Sequence, residues 1–340
     1  MPDQKKRIEW VDYVKAFACF LVILGHLIQS LQKSGIDNHQ NITDFINWFI
    51  YLFHMPLFMC MSGFLFCKSK QTFTWKSYGK FELKKIINLS VPYFTFYLIF
   101  LGLNVLFSSS VNEAKGMDEL IGIFNNPMAP YWFLYALLSI FIVVPLIEKL
   151  CNNNKILTFA IFLVLKIVFI FVQTPVYFIN SVMSYGIYFY IGCFIKEEWK
   201  VKKPICIIET VLYILASILY YNYRENMNGY FIRAINIVFA IFAILIIVQI
   251  FQHIKKSKIL DTFKNYTFQI FVMHTIFAAG IRIVLLKLSI DNYLIHFIAG
   301  ILFSIYVPVL VSIISNKIKF TNFFFYPLKT IEEMRKERKR

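Results

Sequence analysis

Ten apolar runs, each near the length that crosses a bilayer, divide this chain, and only short polar segments lie between them. They cover residues 13–31, 45–67, 86–107, 131–149, 156–172, 177–195, 205–222, 231–251, 266–288 and 293–315. In hydrocarbon, backbone amides and carbonyls must find partners within their own segment, so runs of this length fold as helices. The expectation is an all-α, polytopic transmembrane bundle of about ten spans. The charge content agrees. Only 16% of the residues are charged, against about 25% in a soluble domain.

The basic residues set an orientation. With the N-terminus inside, the inner segments carry 27 Lys and Arg and the outer loops carry four: Lys33, Lys115, Arg224 and Lys287. Cytoplasmic loops hold the excess of positive charge, so the chain is expected N-in and C-in, with an even number of spans. The net charge of +16 is spread over these short segments rather than gathered in a folded patch. That distribution argues against nucleic acid as a partner and for the lipid bilayer. The first run is longer than a signal-peptide core and no Ala-x-Ala site follows it, so it reads as a retained span. Residues 1–320 form the transmembrane domain in this reading. Residues 321–340 form a basic cytoplasmic tail, solvated and touching anionic lipid. The six cysteines lack metal-ligand spacing and read as reduced packing residues.

Within the first run lie Lys15 and His26, with Asp12 just before them. Charged and titratable side chains inside a span are costly to bury and usually face the protein interior for a function. Eleven residues make about three full helical turns, so Lys15 and His26 share a face, about 16 Å apart along the axis. Asp12 lies within roughly 60° of that face. The pattern suits a charge anchor near one membrane surface and a base near the middle.

Three other histidines lie in spans. By depth, His54 and His274 converge with His26 near mid-membrane, and His296 lies near the outer end of the last span. An imidazole titrates near neutral pH, which makes His26 the candidate base. No Asp or Glu accompanies these histidines at that depth and no i, i+4 His pair occurs, so no metal is expected. On the inner side, Lys80, Lys84 and Lys85 precede the third span and offer a phosphate clamp for an anionic cytosolic cofactor. On the outer side, Trp132, Arg233 and Arg282 are candidates to hold an acceptor. Lys166, in the middle of the fifth span, has no partner that the sequence reveals.

Five places along the chain resemble the integral-membrane acyltransferases of type 3, typified by bacterial cell-envelope O-acetyltransferases. These are Asp12 and Lys15 followed by Gly25-His26, and Phe53-His54 through Met61-Ser62-Gly63-Phe64. The third is Lys84-Lys85 through Pro92-Tyr93, the fourth Trp132-Phe133-Leu134, and the fifth Tyr188 to Gly192 with Phe271-Val272-Met273-His274. The resemblance implies a bundle around a central cavity, in the bacterial cytoplasmic (inner) membrane. It implies transfer of an acyl group, commonly acetyl from acetyl-CoA, to a hydroxyl of an envelope or capsular polysaccharide or its lipid-linked precursor.

His26 would be the catalytic residue, with Lys15 its basic partner on the same helix and Asp12 a further member of the catalytic set. Acetyl-CoA would bind near Lys80, Lys84, Lys85 and Ser62, and the acceptor near His54, Trp132, Arg233, His274 and Arg282. Lys15 stands where many members have Arg, and Lys85-Ile86-Ile87-Asn88 stands for Arg-x-x-Arg, so one basic residue of that stretch is replaced by an amide. A polysaccharide or lipid-linked sugar exporter, or a scaffolding subunit of an envelope-synthesis complex, would share the span count. An exporter would be expected to show internal repeats, and none is seen.

Overall fold

The computed structural model describes residues 8–37, 39–69, 75–197, 199, 201–254 and 257–337. Among these the chain is helical, without a strand. The ten longest helices coincide in order with the ten apolar runs. They are α1 (Glu9–Lys33), α2 (Gln40–Lys68), α3 (Trp75–Leu106), α4 (Trp132–Leu150), α5 (Lys155–Phe171), α6 (Tyr177–Ile191), α7 (Lys203–Tyr223), α8 (Gly229–His253), α10 (Thr267–Lys287) and α11 (Tyr293–Ser315). Short helices α9 (Lys258–Phe263), α12 (Lys319–Phe325) and α13 (Pro327–Glu337) complete the set.

Eight helical segments among the described residues are long and apolar enough to cross a membrane. The chain is thus a multi-pass membrane protein. α5 and α6 are shorter, at 17 and 15 residues. Asn154, Asn228 and Asn292 cap α5, α8 and α11, each accepting a bond from the first turn. Proline lies inside α2, α3, α4 and α11, tolerated in membrane helices because neighbouring groups satisfy the freed carbonyl.

Helices α1 and α2 form the centre. α1 packs on α2, α8, α10 and α11, while α2 also meets α6 and α8. Backbone meets backbone where α2 crosses α6. A Cβ on Gly63 would sit 1.7 Å from the Phe189 carbonyl oxygen, and one on Gly192 2.1 Å from that of Cys60. Small residues permit this close approach of helices in lipid, which gives the Ser-Gly-Phe stretch a packing role. The outer α5, α7 and α11 turn Val164, Leu212 and Leu310 outward, as lipid-facing helices do.

Three features differ from what the sequence suggests. Cys67 and Cys193 are joined in a disulfide rather than packing as thiols, because the α2–α6 contact brings their Cα atoms to 5.3 Å. The C-terminal segment is not a free tail. α12 and α13 pack on α3, with Phe325 against Phe96 and Thr330 fully buried. Lys166 does have a partner. Its ammonium donates to the Ser184 carbonyl of α6 at 2.9 Å and lies near the Tyr188 ring.

Candidate active site

A cavity of about 800 Å³ opens between the first turns of α1, the last turns of α2 and the facing parts of α3 and α4. Its wall is written in helical spacing. α1 contributes Ile8, Asp12 and Lys15, and α2 contributes Ser62, Leu65, Phe66 and Ser69 with Lys68. α3 contributes Phe81, Lys85, Asn88 and Leu89, and α4 contributes Leu137 and Phe141. Two ammonium groups, of Lys15 and Lys85, therefore face one space with the Asp12 carboxylate, while Lys68 at the edge is ion-paired with Glu197. Lys85 also lies 3.8 Å from the Phe141 ring centroid, a cation–π contact that holds its head at the cavity wall.

This geometry divides the lysines that the sequence grouped together. Lys85 faces the cavity. Lys80 and Lys84 are exposed and absent from its wall. They lie roughly a third and a quarter of a turn from the stripe formed by Phe81, Lys85, Asn88 and Leu89. Ser62 is in the wall and donates to the Phe58 carbonyl at 2.9 Å. Lys68 and Asn88 were missed as candidates. The signal for both was available, since Asn88 is three residues after Lys85 and Lys68 follows the face carrying Ser62, Leu65 and Ser69.

Above the cavity the walls close on an aromatic collar. Phe133 is one turn from Leu137 and Phe58 one turn from Ser62. The rings of Phe58, Phe133 and Phe271 contact one another at centroid distances of 5.4 to 6.1 Å, and all three are buried. Phe271 in turn touches His274 at 6.1 Å.

Beyond the collar lie the histidines. The rings of His26 and His274 are 5.3 Å apart, centroid to centroid. The Nδ1 of His274 is 2.7 Å from the Phe271 carbonyl oxygen, which makes it the donor, so that in the neutral ring the lone pair lies on Nε2. That Nε2 is buried without a protein partner. His54 repeats the device, its Nδ1 2.8 Å from the Ile50 carbonyl oxygen. The sequence-based convergence of His26 with His274 is thus a direct ring contact, and His54 reaches α1 through the Tyr51 ring, which lies 4.7 Å from it and against Gly25. His296 stands apart, its Nε2 on the Ile290 carbonyl at 2.7 Å.

The remaining candidates are not gathered in one place. Arg282 is buried and donates to the Oγ of Ser30, one turn beyond His26 on α1. Arg233 is exposed at the end of α8 and donates to the Ile170 carbonyl at 2.8 Å, linking α8 to α5. Trp132 stacks on Tyr185 with centroids 5.6 Å apart, a contact between α4 and α6. Among the described residues no group of three His, Cys, Asp or Glu could hold a metal ion.

Two curated relatives and one family model match this chain. The Nodulation protein NolL of Mesorhizobium japonicum (strain LMG 29417 / CECT 9101 / MAFF 303099) is 31% identical over 146 residues, 43% of this chain and 36% of the relative. NolL of Sinorhizobium fredii (strain NBRC 101917 / NGR234) is 32% identical over 140 residues, 40% of this chain and 35% of the relative. The matched part spans about a third of the length of these curated relatives. No solved structure matches. The family model described as an acyltransferase domain matches residues 8–313, from the first turn of α1 to the last of α11. With this match over nearly its whole length, the chain belongs to the type 3 acyltransferase family.

Proposed function

We propose that this enzyme transfers an acetyl group from cytosolic acetyl-CoA to a hydroxyl of a cell-envelope carbohydrate, in the bacterial inner membrane. The observation that carries the reading is the layout of α1. Lys15 lines a cationic cavity at one end, and His26 meets His274 about three turns further on. In the ten-span, N-in reading that the distribution of basic residues supports, this cavity faces the cytosol.

The donor fits the cavity by charge. Lys15 and Lys85 offer ammonium groups to the phosphates of coenzyme A, and Asn88 offers an amide where a second cation is replaced. The thioester arm then extends past the collar of Phe58, Phe133 and Phe271 to His26. His26 takes the proton of the acceptor hydroxyl as its oxygen attacks the thioester carbonyl. The C–S bond breaks, coenzyme A leaves as the thiol with the returned proton, and an ester remains on the acceptor. Transfer through an acyl group held briefly on His26 gives the same products. An exporter would have no need of an acyl-donor cavity, and the acyltransferase family match favours the enzyme.

The test is proton NMR of envelope carbohydrate from cells with the gene, without it, and with His26→Ala. The expected result is an O-acetyl resonance present only with the intact gene. Near-wild-type O-acetylation by the His26→Ala protein would refute the reading.

A further inference from the structure

The outer side of His26 carries a second constellation that neither the donor cavity nor the histidine pair uses. One turn beyond His26, Gln29 of α1 approaches Asn47 of α2, with its Nε2 3.5 Å from the Asn47 Oδ1. The Tyr51 ring stands edge-on to His54 at 4.7 Å and presses on α1 at Gly25, where a Cβ would come within 2.8 Å of its Cε2. Gly25 immediately precedes His26, so a larger residue there would push this ring away.

Despite these contacts Tyr51 is 40% exposed, and Gln29 and Asn47 are half-exposed. Two amides and a phenol are poor groups to turn toward hydrocarbon. On the flank of the same turn, Ser30 holds Arg282, which is 4% exposed and whose Nε–H has no acceptor in the protein. The arrangement is a held aromatic face, two amides able both to give and to accept hydrogen bonds, and one spare buried donor.

We propose that Tyr51, Gln29 and Asn47, with Arg282 beside them, form the seat of the acceptor sugar. The proposal rests on the O-acyltransfer reading above and names where its second substrate binds. A pyranose ring offers an apolar C–H face to an aromatic ring and hydroxyls at its edge to amides. Seated on Tyr51, it turns an edge hydroxyl toward His26 from the side opposite the thioester. Trp132, already stacked on Tyr185, and Arg233, bonded to Ile170 at the α8 end, then serve helix packing.

The test uses the full-length protein in a deletion strain and in membranes from it. Wild type, His26→Ala, Tyr51→Ala, Tyr51→Trp, Gln29→Ala and Asn47→Ala are compared. O-acetyl is measured by proton NMR in the organic-solvent extract and the aqueous polysaccharide separately, which distinguishes a lipid-linked acceptor from a finished polymer. In membranes, transfer from radiolabelled acetyl-CoA gives the half-saturating donor concentration.

Tyr51→Ala is expected to lower O-acetylation at least tenfold with the half-saturating acetyl-CoA concentration unchanged. Tyr51→Trp should retain much of it, and Gln29→Ala and Asn47→Ala should each lower it several-fold. Wild-type transfer by Tyr51→Ala, or by both amide variants if Tyr51→Ala fails to accumulate, would overturn the proposal. So would a parallel rise in the donor requirement. If the wild-type gene itself adds no O-acetyl group, the O-acyltransfer reading has failed, and the seat falls with it.

Discussion

The rings of His26 and His274, on the first and the tenth helices, lie 5.3 Å apart in the middle of the bundle. Nδ1 of His274 is engaged by the Phe271 carbonyl, and its Nε2 has no protein partner. Such a ring presents a lone pair beside the proposed base. His274→Phe should keep the packing and remove that lone pair. We expect acyl transfer to fall by one to two orders of magnitude, less than the roughly 10²–10⁴-fold loss for His26→Ala. Turnover in membranes with each variant at matched abundance checks the order. Equal activity of His274→Phe and wild type would contradict it.

The lysines of α3 should separate by position. Lys85→Ala removes a cation from the cavity wall, where charge-assisted bonds contribute about 1.5–3 kcal/mol. The concentration of acetyl-CoA for half-maximal transfer should rise about tenfold or more. Lys80→Ala and Lys84→Ala, on an exposed face, should leave it within about twofold. A titration of donor concentration against rate measures all three.

The Phe58, Phe133 and Phe271 collar stands between the donor cavity and His26, so it should limit the size of the acyl group. Phe133→Ala should destabilise the protein by about 3–5 kcal/mol, as large-to-small core changes do. In the protein that remains folded it should raise the rate with butyryl-CoA relative to acetyl-CoA. Competition between the two thioesters in one reaction reads the ratio directly, and an unchanged ratio would place the size limit elsewhere.

Lys166 offers a contrast to Lys15. Its ammonium bonds a helix carbonyl and faces aromatic rings, away from the cavity. Replacing a buried ion with an apolar residue of similar volume is often neutral or stabilising. Lys166→Met should therefore retain at least half of the activity and an equal or higher Tm in detergent. Lys15→Met should lose most of the activity at unchanged Tm. Thermal unfolding and transfer assays on the same preparations decide this.

The amino-acid sequence by itself determined the helical class, the membrane setting and the common face of Lys15 and His26. These depend on run length, charge and the 3.6-residue period, all of them local. Counting along the spans also suggested that His26 and His274 lie near each other, and their rings do meet. Only the tertiary structure decided which faces meet. In a soluble protein the apolar stripe of a helix marks its buried side, but in lipid the outer face is apolar as well, so the pattern carries little information about packing.

That is why Lys84 and Lys85 looked equivalent until α3 was set against α1 and α4. For the same reason Lys166 lacked a partner until α6 supplied Ser184, and Cys67 looked free until Gly63 and Gly192 brought α2 and α6 together. The contact of His26 with His274, and the approach of Tyr51 to Gly25, join residues from different helices. Their meeting is fixed by small residues and hydrogen bonds at crossings, which no single segment encodes.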